Sequence, residues 1–351
     1  MKHRVITPSE LDSGLLGEWK RISQSRFFYN RPYYQPEWVK LIDSVRGDAR
    51  IAIIEDAGQV IGFLPFQLQS INRNPAIGMS LADYQGPIYS KDCNVPTSVW
   101  LAASGHRYWQ YDHMPCDLSE FEPHAWTIKH SQWMNLQGGY ESYCNRLAER
   151  NDGAKSRIIK DAEVQQRKIT REYPDVNFAF DNRSASDFLS FIKGKSFQYV
   201  NTLGADHDMF RVEWINKTIN YLFQMDPHSS LRGRFSSLKI GDRLIAGSFG
   251  AECNGVLQFN ILWYDPEFSR FSPGTQVLHA CAKQSFNAGI HTLELGGGAY
   301  DYKAKFRTDT MPTMAGAISN PAILSKTHAT YLKLRWRLRD STFGKKLRKF
   351  I

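Results

Sequence analysis

The chain has 351 residues, of which 42% are hydrophobic and 23% are charged. These fractions are typical of globular proteins and exclude a chain that is mostly disordered. A chain of this length buries roughly three quarters of its unfolded surface, so its core needs no disulfide or metal to hold it together. The formal net charge of +9 favours an anionic partner such as a nucleotide, a phosphate group, RNA or a lipid headgroup.

The cysteines and the apolar runs exclude several further classes of protein. The five cysteines are widely spaced and form no C-x-x-C pair, and no H-E-x-x-H motif is present, so we expect neither a disulfide framework nor a metal site. No apolar run reaches the length of about 18 residues that a transmembrane helix needs, and residues 1–8 lack the apolar core of a signal peptide. The sequence therefore predicts a cytoplasmic protein.

The first 140 residues begin with helical sequence and continue with a β-hairpin. Residues 10–45 are helix-compatible, with breaks at Pro32 and Pro36. Residues 50–55 and 59–68 predict two strands, and the turn chemistry of the residues between them predicts that they pair as a hairpin. The sequence that follows, as far as about residue 139, is less regular.

Residues 141–172 form a polar, helix-compatible stretch that is dense in Arg and Lys. Two interpretations are open: a solvated helix that bridges two domains, or a basic helix that faces an anionic ligand. The basic residues are Arg146, Arg150, Lys155, Arg157, Lys160, Arg167, Lys168 and Arg171.

The remaining sequence predicts two helices, a three-stranded meander and then a strand–loop–helix–strand pattern. The Asn254-Gly255 pair is the strongest hairpin signal in it, because Asn-Gly suits the tight turn between antiparallel strands. The residues 59–62 of the first hairpin resemble residues 243–246 of the meander, which indicates a duplicated domain. The predicted elements are helices at 185–194 and 209–225, strands at 234–240, 243–253 and 256–264, a loop at 267–274, a helix at 275–288, a strand at 291–295 and a short helix that holds Tyr302.

Two nucleotide-binding motifs are incomplete in this chain. Gly194-Lys195-Ser196 resembles the end of a P-loop, but position 189, where that motif needs glycine, is Leu189. Gly296 and Gly298 follow a strand, but the third glycine of G-x-G-x-x-G would fall on Asp301. The sequence therefore supports neither a P-loop NTPase nor a Rossmann enzyme.

The loop and helix start at residues 271–278 have a different phosphate-binding character. A glycine-containing loop that opens a helix directs backbone N–H groups and the positive end of the helix dipole at one point, where a pyrophosphate would be held. The alternative is a Pro-Gly turn with Thr275 near the N-cap of the helix.

The order of these elements resembles the core of GNAT acyltransferases, in which the equivalent loop has the pattern Q/R-x-x-G-x-G/A. Here Arg270 precedes Gly274 by four residues, and Gln276 replaces the last small residue. Four blocks are similar to the cellulose-biosynthesis (CelD-like, BioF2-like) branch. They are the basic stretch 146–171, Lys195-x-x-Gln198-Tyr199, Ser272-Pro-Gly-x-x-x-Leu278 and Leu295-Gly-x-Gly-x-x-x-Tyr-Lys-x-x-Phe306. Fem-type aminoacyltransferases share the duplicated layout and are the alternative family.

The resemblance implies an α/β (α+β) fold of tandem GNAT-like domains, each with a mixed, mostly antiparallel central sheet flanked by helices. It implies an N-terminal half at 1–140 and a catalytic C-terminal half at 141–320, which opens with the basic helix 141–172. A basic tail at 321–351 follows.

The resemblance also implies acetyl-CoA or another acyl-CoA as co-substrate. The backbone before the loop, at Leu262 and Trp263, would polarise the thioester carbonyl. The loop and the start of the next helix would hold the pyrophosphate. The residues implied in that second role are Arg270, Ser272, Gly274, Thr275 and Gln276.

Two residues are candidates for proton transfer. Tyr302 lies where related enzymes place a tyrosine general acid, with ordinary packing as the alternative. Glu294 would act as a general base if it pointed into the cleft, where burial raises a carboxyl pKa, and would be a solvated strand carboxylate if it pointed outward. Candidates for binding the acceptor are Lys195, Gln198, Tyr199 and Lys303.

The C-terminal residues 333–351 alternate basic and apolar side chains. Such a segment binds an anionic membrane surface, and the alternatives are a solvated tail or contact with RNA. We therefore expect a cytoplasmic protein with peripheral contact to the inner face of the membrane.

Together these observations predict transfer of an acyl group from acyl-CoA to an amine or hydroxyl of a sugar or cell-envelope polysaccharide precursor. The enzymatic alternative is a Fem-like transferase that uses aminoacyl-tRNA, which the net charge favours. The non-enzymatic alternative is a GNAT scaffold that binds a membrane-associated partner.

Overall fold

The computed structural model describes residues 1–71, 74–150, 157–298 and 301–340. It contains two compact units, which we call the first and the second unit. The first unit comprises Met1–Tyr29, Gly47–Lys129 and the segment that begins at Pro312, and the second comprises Asn30–Arg46 and His130–Met311. Both units are thus built from separated segments, whereas the sequence predicts halves that are each continuous.

The elements alternate between helices and strands along the chain. The α-helices are α1 (Ser13–Ser23), α2 (Pro36–Arg46), α3 (Thr97–Ser104), α4 (Gly139–Arg150), α5 (Arg157–Glu172), α6 (Ala185–Leu203), α7 (Glu213–Gln224), α8 (Pro273–Ser285), α9 (Asp301–Phe306) and α10 (Ile323–Asp340). The strands are β1 (Lys2–Ile6), β2 (Ala49–Asp56), β3 (Gln59–Ile71), β4 (Asn74–Ala76), β5 (Ile88–Tyr89), β6 (Tyr108–Pro115), β7 (Ala125–Asn135), β8 (Val176–Ala179), β9 (Leu231–Ile240), β10 (Arg243–Cys253), β11 (Val256–Tyr264), β12 (Thr292–Gly296) and β13 (Asp309–Ser319).

The first unit is built on the antiparallel sheet β1-β2-β3-β4, with β5 paired to β3. The predicted hairpin β2–β3 is confirmed, and Ala57 and Gly58 both have positive φ at its turn, as a type I′ turn requires. Trp19 of α1 stacks on Phe63 of β3 at 4.7 Å between ring centroids, so α1 covers one face of this sheet. The residues between β3 and about residue 139, for which the sequence predicts no regular elements, contain α3 and several strands. Their Gly and Pro residues hide the periodicity that predicts such elements.

The second unit is built on strands in the order β7-β12-β11-β10-β9-β8. The predicted meander β9-β10-β11 is confirmed, with Asn254 and Gly255 at positive φ in the second turn. Strands β11 and β12 are parallel and are connected through α8, whereas the other pairs in this order are antiparallel. The predicted strand–loop–helix–strand pattern is therefore present.

Two predicted helices have different bounds in the structure. The basic stretch 141–172 is covered by α4 and α5, and residues 151–156 between them lie outside the described residues. Helix α5 buries Ala162 and Ile169, so it is amphipathic and packs on the core of the second unit. Helix α6 continues past Gly194 to Leu203 instead of ending there. The glycine does not end the helix; it provides the space in which α6 packs against a tryptophan of β11.

The core of the second unit lies between its sheet and the helices α4, α5 and α8. Its fully buried side chains include Tyr143, Leu147, Leu278, Leu293 and Phe306. The hydroxyl of Tyr143 donates to the carbonyl of Phe306, at 2.8 Å between the two oxygen atoms, which ties α4 to the end of α9. This core fixes the position of α8 relative to β11 and β12.

Helix α10 begins at Ile323 and covers the start of the predicted basic tail. The side chains from Lys333 to Asp340, and residues 341–351 altogether, lie outside the described residues, so the predicted membrane-binding face stays a prediction. Within the described ranges, no helix combines the length and the apolar character that crossing a membrane requires.

Candidate active site

Strands β11 and β12 pair over only the first part of β11. The parallel ladder runs from the pair Val256–Thr292 to the pair Gln258–Glu294. Strand β11 then continues along β10 as far as Tyr264, and no pairing joins this second part to the described residues of β12. We call the edge of β11 from residue 261 to residue 264 that faces away from β10 the open edge.

A β-bulge marks the point where the two strands part. Phe249 of β10 faces Ile261, whereas the next residue, Gly250, faces Phe259, so one residue of β11 is left over. A Cβ atom at position 250 would lie only 1.9 Å from the carbonyl oxygen of Gln258, so no side chain fits there. The glycine therefore permits the close backbone approach that the bulge requires.

The hydrogen-bond pattern determines which backbone groups face the open edge. The N–H of Asp265 donates to the carbonyl of Ile245 on β10, at 2.8 Å between nitrogen and oxygen. Residues that bond to β10 alternate along an antiparallel pair, so Trp263 directs its backbone groups to β10, and Leu262 and Tyr264 direct theirs to the open edge. The backbone N–H donor that we expected at Trp263 is therefore supplied at the open edge by Leu262 and Tyr264.

The N-terminus of α8 lies beside the open edge. Its first turn contains Pro273, Gly274 and Thr275, and the N–H groups of the latter two have no acceptor within the helix. A methyl group on Gly274 would meet side-chain atoms of Leu262 and Tyr264 at 3.4 Å, an ordinary contact distance. The positive end of the α8 dipole is therefore adjacent to the segment of β11 that contains Leu262 and Tyr264.

The remaining predicted loop residues hold the turn before α8. Ser272 is in the left-handed conformation, with φ of 50°, and its carbonyl accepts from the N–H of Gln276. The buried side chain of Gln276 donates to the carbonyl of Phe271 at 2.7 Å. Arg270 pairs with Glu172 at the end of α5 and stays largely exposed, so its guanidinium is accessible to a ligand.

The three predicted acceptor residues of α6 lie against the open edge. Lys195 Nζ donates to the carbonyl oxygen of Leu262 at 2.9 Å and to Oε1 of Gln198 at 3.0 Å. The ammonium also lies 4.7 Å from the centroid of the Tyr199 ring, within range of a cation–π contact. The structure therefore brings Lys195, Gln198 and Tyr199 together with Leu262.

A close crossing of α6 and β11 makes this arrangement possible. A Cβ atom on Gly194 would lie 2.4 Å from the indole ring of Trp263, so only glycine fits at the crossing. The next residue of α6 is Lys195, and its side chain therefore starts beside β11. Burial lowers the pKa of the Lys195 ammonium to about 8.

Glu294 of β12 is fully buried, so the alternative of a solvated strand carboxylate is wrong. Its Oε1 accepts from Nε of Arg31 at 2.8 Å and also from Nη2 of the same guanidinium. Arg31 is likewise fully buried, and its guanidinium lies 5.9 Å from the ring centroid of Trp133. The geometry gives Glu294 a structural partner, and its role as general base stays a prediction.

Tyr302 and Lys303 lie on α9, after the glycine run that follows β12. The Tyr302 side chain is partly buried and packs on the core of the second unit. Lys303 Nζ donates to the carbonyl of Gly297 at 2.6 Å, which ties α9 to the glycine run. The predicted roles of both residues stay predictions.

The sequence did not indicate Arg31, Gly250 or Tyr264 as parts of this region. A lone glycine inside a strand is a recognised sign of a bulge, so Gly250 could have been found in that way. Arg31 is 263 positions from Glu294, and no local pattern connects two residues so far apart in sequence. Among the described residues, no group of His, Cys, Asp and Glu side chains is arranged to hold a metal ion.

Residues 156–304 match the family model of the acetyltransferase (GNAT) domain. The matched range contains α5 to α8 and the open edge, so the similarity to a GNAT-type acetyltransferase domain lies within the second unit. No curated protein sequence matches the chain.

Solved structures resemble the whole fold at low sequence identity. The crystal structure of FemX has a TM-score of 0.58 at 10% identity, covering 90% of this chain and 96% of that one. A tandem GNAT protein from the clavulanic acid biosynthesis pathway has a TM-score of 0.52 at 9% identity, covering 90% and 97%. The predicted fold class, a mixed α/β fold similar to that of tandem GNAT proteins, is therefore confirmed.

Proposed function

We propose that this protein transfers an acyl group from acyl-CoA to an amine or hydroxyl of a sugar or cell-envelope precursor. One observation supports this most strongly: the N-terminus of α8 lies beside the open edge of β11, where Gly274 approaches the side chains of Leu262 and Tyr264. The GNAT domain match supports acyl transfer as the reaction class. The sugar acceptor comes from the resemblance to the CelD-like branch.

The proposed reaction needs little covalent participation by the protein. The acceptor nitrogen or oxygen attacks the thioester carbonyl carbon, the carbon–sulfur bond breaks, and the acceptor proton leaves to solvent or a base. The N–H of Leu262 would donate to the carbonyl oxygen as negative charge develops there, and such donors lower the barrier by ~3 kcal/mol each. The N–H groups of Gly274 and Thr275 would hold the pyrophosphate.

Tyr302 is the proposed proton donor to the departing thiolate. Phenols and alkyl thiols have similar ordinary pKa values, about 10 and about 8.5, and three glycines before α9 allow close backbone approach. Tyr302→Phe keeps the ring and should lower the rate of CoA thiol release by ~10²–10⁴-fold, with hydroxylamine as the acceptor and with acetyl-CoA affinity retained. An unchanged rate in the folded variant would show that the hydroxyl is dispensable.

Titration calorimetry with acetyl-CoA tests the proposed binding site directly. Gly274→Pro removes one donor from the first turn of α8, where proline is otherwise tolerated, and should weaken acetyl-CoA binding by about tenfold or more. Glu37→Pro is the matched control, because α2 also begins with a proline, Pro36, and Glu37 interacts electrostatically with Cys253, which pairs with Val256 at the other end of β11 from the open edge. Equal affinity in the two variants would reject the assignment of α8.

A Fem-like transferase that uses aminoacyl-tRNA is the second candidate function. The fold similarity to FemX and the basic residues of α5 favour it. The acetyl-CoA titration separates the two candidates: micromolar binding that depends on Gly274 supports acyl-CoA as the donor. No acetyl-CoA binding, together with saturable binding of aminoacyl-tRNA, would support the Fem-like reaction instead.

A further inference from the structure

The ammonium of Lys195 is half-buried beside the open edge without a carboxylate to balance it. Its two hydrogen-bond acceptors, the Leu262 carbonyl and the Gln198 amide oxygen, are both neutral. No Asp or Glu among the described side chains forms an ion pair with it. Removing a charge from water without a counter-ion is costly, so such a group calls for a compensating anion.

The geometry leaves one donor of this ammonium for a ligand. A lysine ammonium has three N–H donors, and two of them are directed to Leu262 and Gln198. The Tyr199 ring covers a further side at 4.7 Å. A ligand oxygen that accepts the remaining N–H would therefore lie next to the backbone group of Leu262.

The surroundings of Lys195 explain why its charge is unsatisfied. Burial alone lowers its pKa to about 8, so the group is still mostly protonated at pH 7. Asp206, His207 and Asp208 follow α6, but none of them contributes to this shift. The Asp208 carboxylate instead accepts hydrogen bonds from the Ser196 hydroxyl, at 2.5 Å between the two oxygen atoms, and from the backbone N–H of Phe210.

We propose that Lys195 is the counter-ion for a phosphate or carboxylate group of the acceptor, so that the acceptor is an anionic molecule. This inference rests on the proposed function, because it takes the open edge as the place where acceptor and thioester meet. A bound anion would restore the balance of charge that the free protein lacks. Tyr199 and Gln198 would then orient the anionic group, while the attacking nitrogen or oxygen reaches the carbonyl carbon beside Leu262.

Lysine footprinting by mass spectrometry tests this proposal without knowledge of the acceptor. The full chain is pulse-labelled with an acetylating reagent between about pH 6 and pH 11, in chloride, in inorganic phosphate and in acetate, at equal ionic strength. In chloride, we expect half-maximal labelling of Lys195 near pH 8. An anion at the ammonium should raise this midpoint by about one pH unit. Lys193, exposed on the same helix, is the internal control and should not change.

The arms of this experiment separate the two sources of the anion. A shift in phosphate alone indicates a phosphorylated acceptor, and a shift in acetate alone indicates a carboxylate. An unchanged midpoint in both anions overturns the proposal, and so does an equal shift at Lys193, which would reflect ions around the whole surface. An equal rise in the labelling midpoint of Lys195 when acetyl-CoA is the only added ligand also overturns the proposal, because Lys195 would then contact the thioester substrate.

A titration of the same preparation with acetyl-CoA separates failure of this inference from failure of the proposed function. Absence of acetyl-CoA binding counts against acyl-CoA as the donor, whatever the labelling shows. Binding of acetyl-CoA without any anion-dependent shift at Lys195 leaves the proposed function standing and removes the anionic acceptor.

Discussion

Strands β11 and β12 diverge in the second unit, and the charged groups beside them differ: the one on β12 is balanced by an opposite charge, and the one beside β11 is not. On β12, the carboxylate of Glu294 is fully buried and is bonded to the fully buried guanidinium of Arg31. On the side of β11, the ammonium of Lys195 has only neutral partners, and the backbone of Leu262 and Tyr264 faces no strand of the described residues on that edge.

We interpret the pair of Glu294 and Arg31 as structural, and the Lys195 ammonium and the open edge as groups that are available to a ligand. A buried ion pair is satisfied within the protein, and its loss exposes the cost of burying a single charge. An ammonium without a counter-ion, and strand N–H groups that face no neighbouring strand among the described residues, instead carry a cost that binding can remove. We therefore expect substitutions on the β12 side to act on stability, and substitutions on the β11 side to act on binding.

Arg31→Met should have the largest effect on stability. Removing one member of a fully buried pair typically costs about 3–5 kcal/mol of the free energy of unfolding, because the buried carboxylate of Glu294 loses the guanidinium that balances its charge. Burial without a counter-ion favours the neutral, protonated form of a carboxyl group. The stability of the variant should therefore fall as pH rises above about 4.3, the ordinary pKa of the group.

Denaturant unfolding measured from pH 4 to pH 8 checks this prediction. Arg4→Met is the matched control, because Arg4 pairs with Glu55 on the surface, where such a pair is worth less than about 1 kcal/mol. The double variant Arg31→Met/Glu294→Met should regain much of the lost stability, since it buries no charge. A loss no larger than that of the control would show that the ion pair is not structural.

Gly250→Ala should have an intermediate effect, at the bulge where the two strands part. Its Cβ atom would lie 1.9 Å from the Gln258 carbonyl oxygen, so β10 and β11 must move apart. Such overpacking typically costs about 1–3 kcal/mol of unfolding free energy, and the moved strand should also bind acetyl-CoA more weakly. Gly17→Ala is the control, since the added methyl would meet no atom within 4 Å beyond its chain neighbours and the backbone of α1. Unchanged stability and affinity would mean that the bulge does not shape the open edge.

The bulge also illustrates how much of this fold was predictable from sequence. The hairpin turns at Ala57-Gly58 and Asn254-Gly255 were predicted correctly because a few adjacent residues determine a turn. The strand–loop–helix–strand order around α8 was predictable for the same reason. Side-chain alternation and turn residues are local signals, and they do not report which distant segments pack together.

The parts that were missed depend on contacts between distant segments. Asn30–Arg46 joins the second unit, where Arg31 meets Glu294 and Arg46 lies over the ring of Trp214 at 5.1 Å. Nothing adjacent to Arg31 in sequence indicates such a partner. The grouping of Lys195, Gln198 and Tyr199 at one site was predicted, but the unbalanced charge of this lysine becomes evident only when its neighbours are known.

Lys195→Met should have the smallest effect and the opposite sign to that of Arg31→Met. The wild-type protein buries this ammonium without a counter-ion, so an apolar side chain of similar length should raise the free energy of unfolding at pH 7, by on the order of 1 kcal/mol. The pKa in the folded state, about 8, is below the ordinary value of 10.5. Between these two pH values the unfolded wild type binds more protons than the folded one, so wild-type stability rises with pH.

The advantage of Lys195→Met should therefore be largest at pH 7 and shrink towards pH 10.5, as the folded wild type loses its proton. Unfolding of both proteins across this range, with Lys193→Met as the exposed control, is the measurement. A loss of stability at pH 7 would mean that the bonds of Lys195 to Leu262 and Gln198 outweigh its buried charge. The β11 side would then be structural in the same sense as the β12 side, and the contrast between the two strands would not hold.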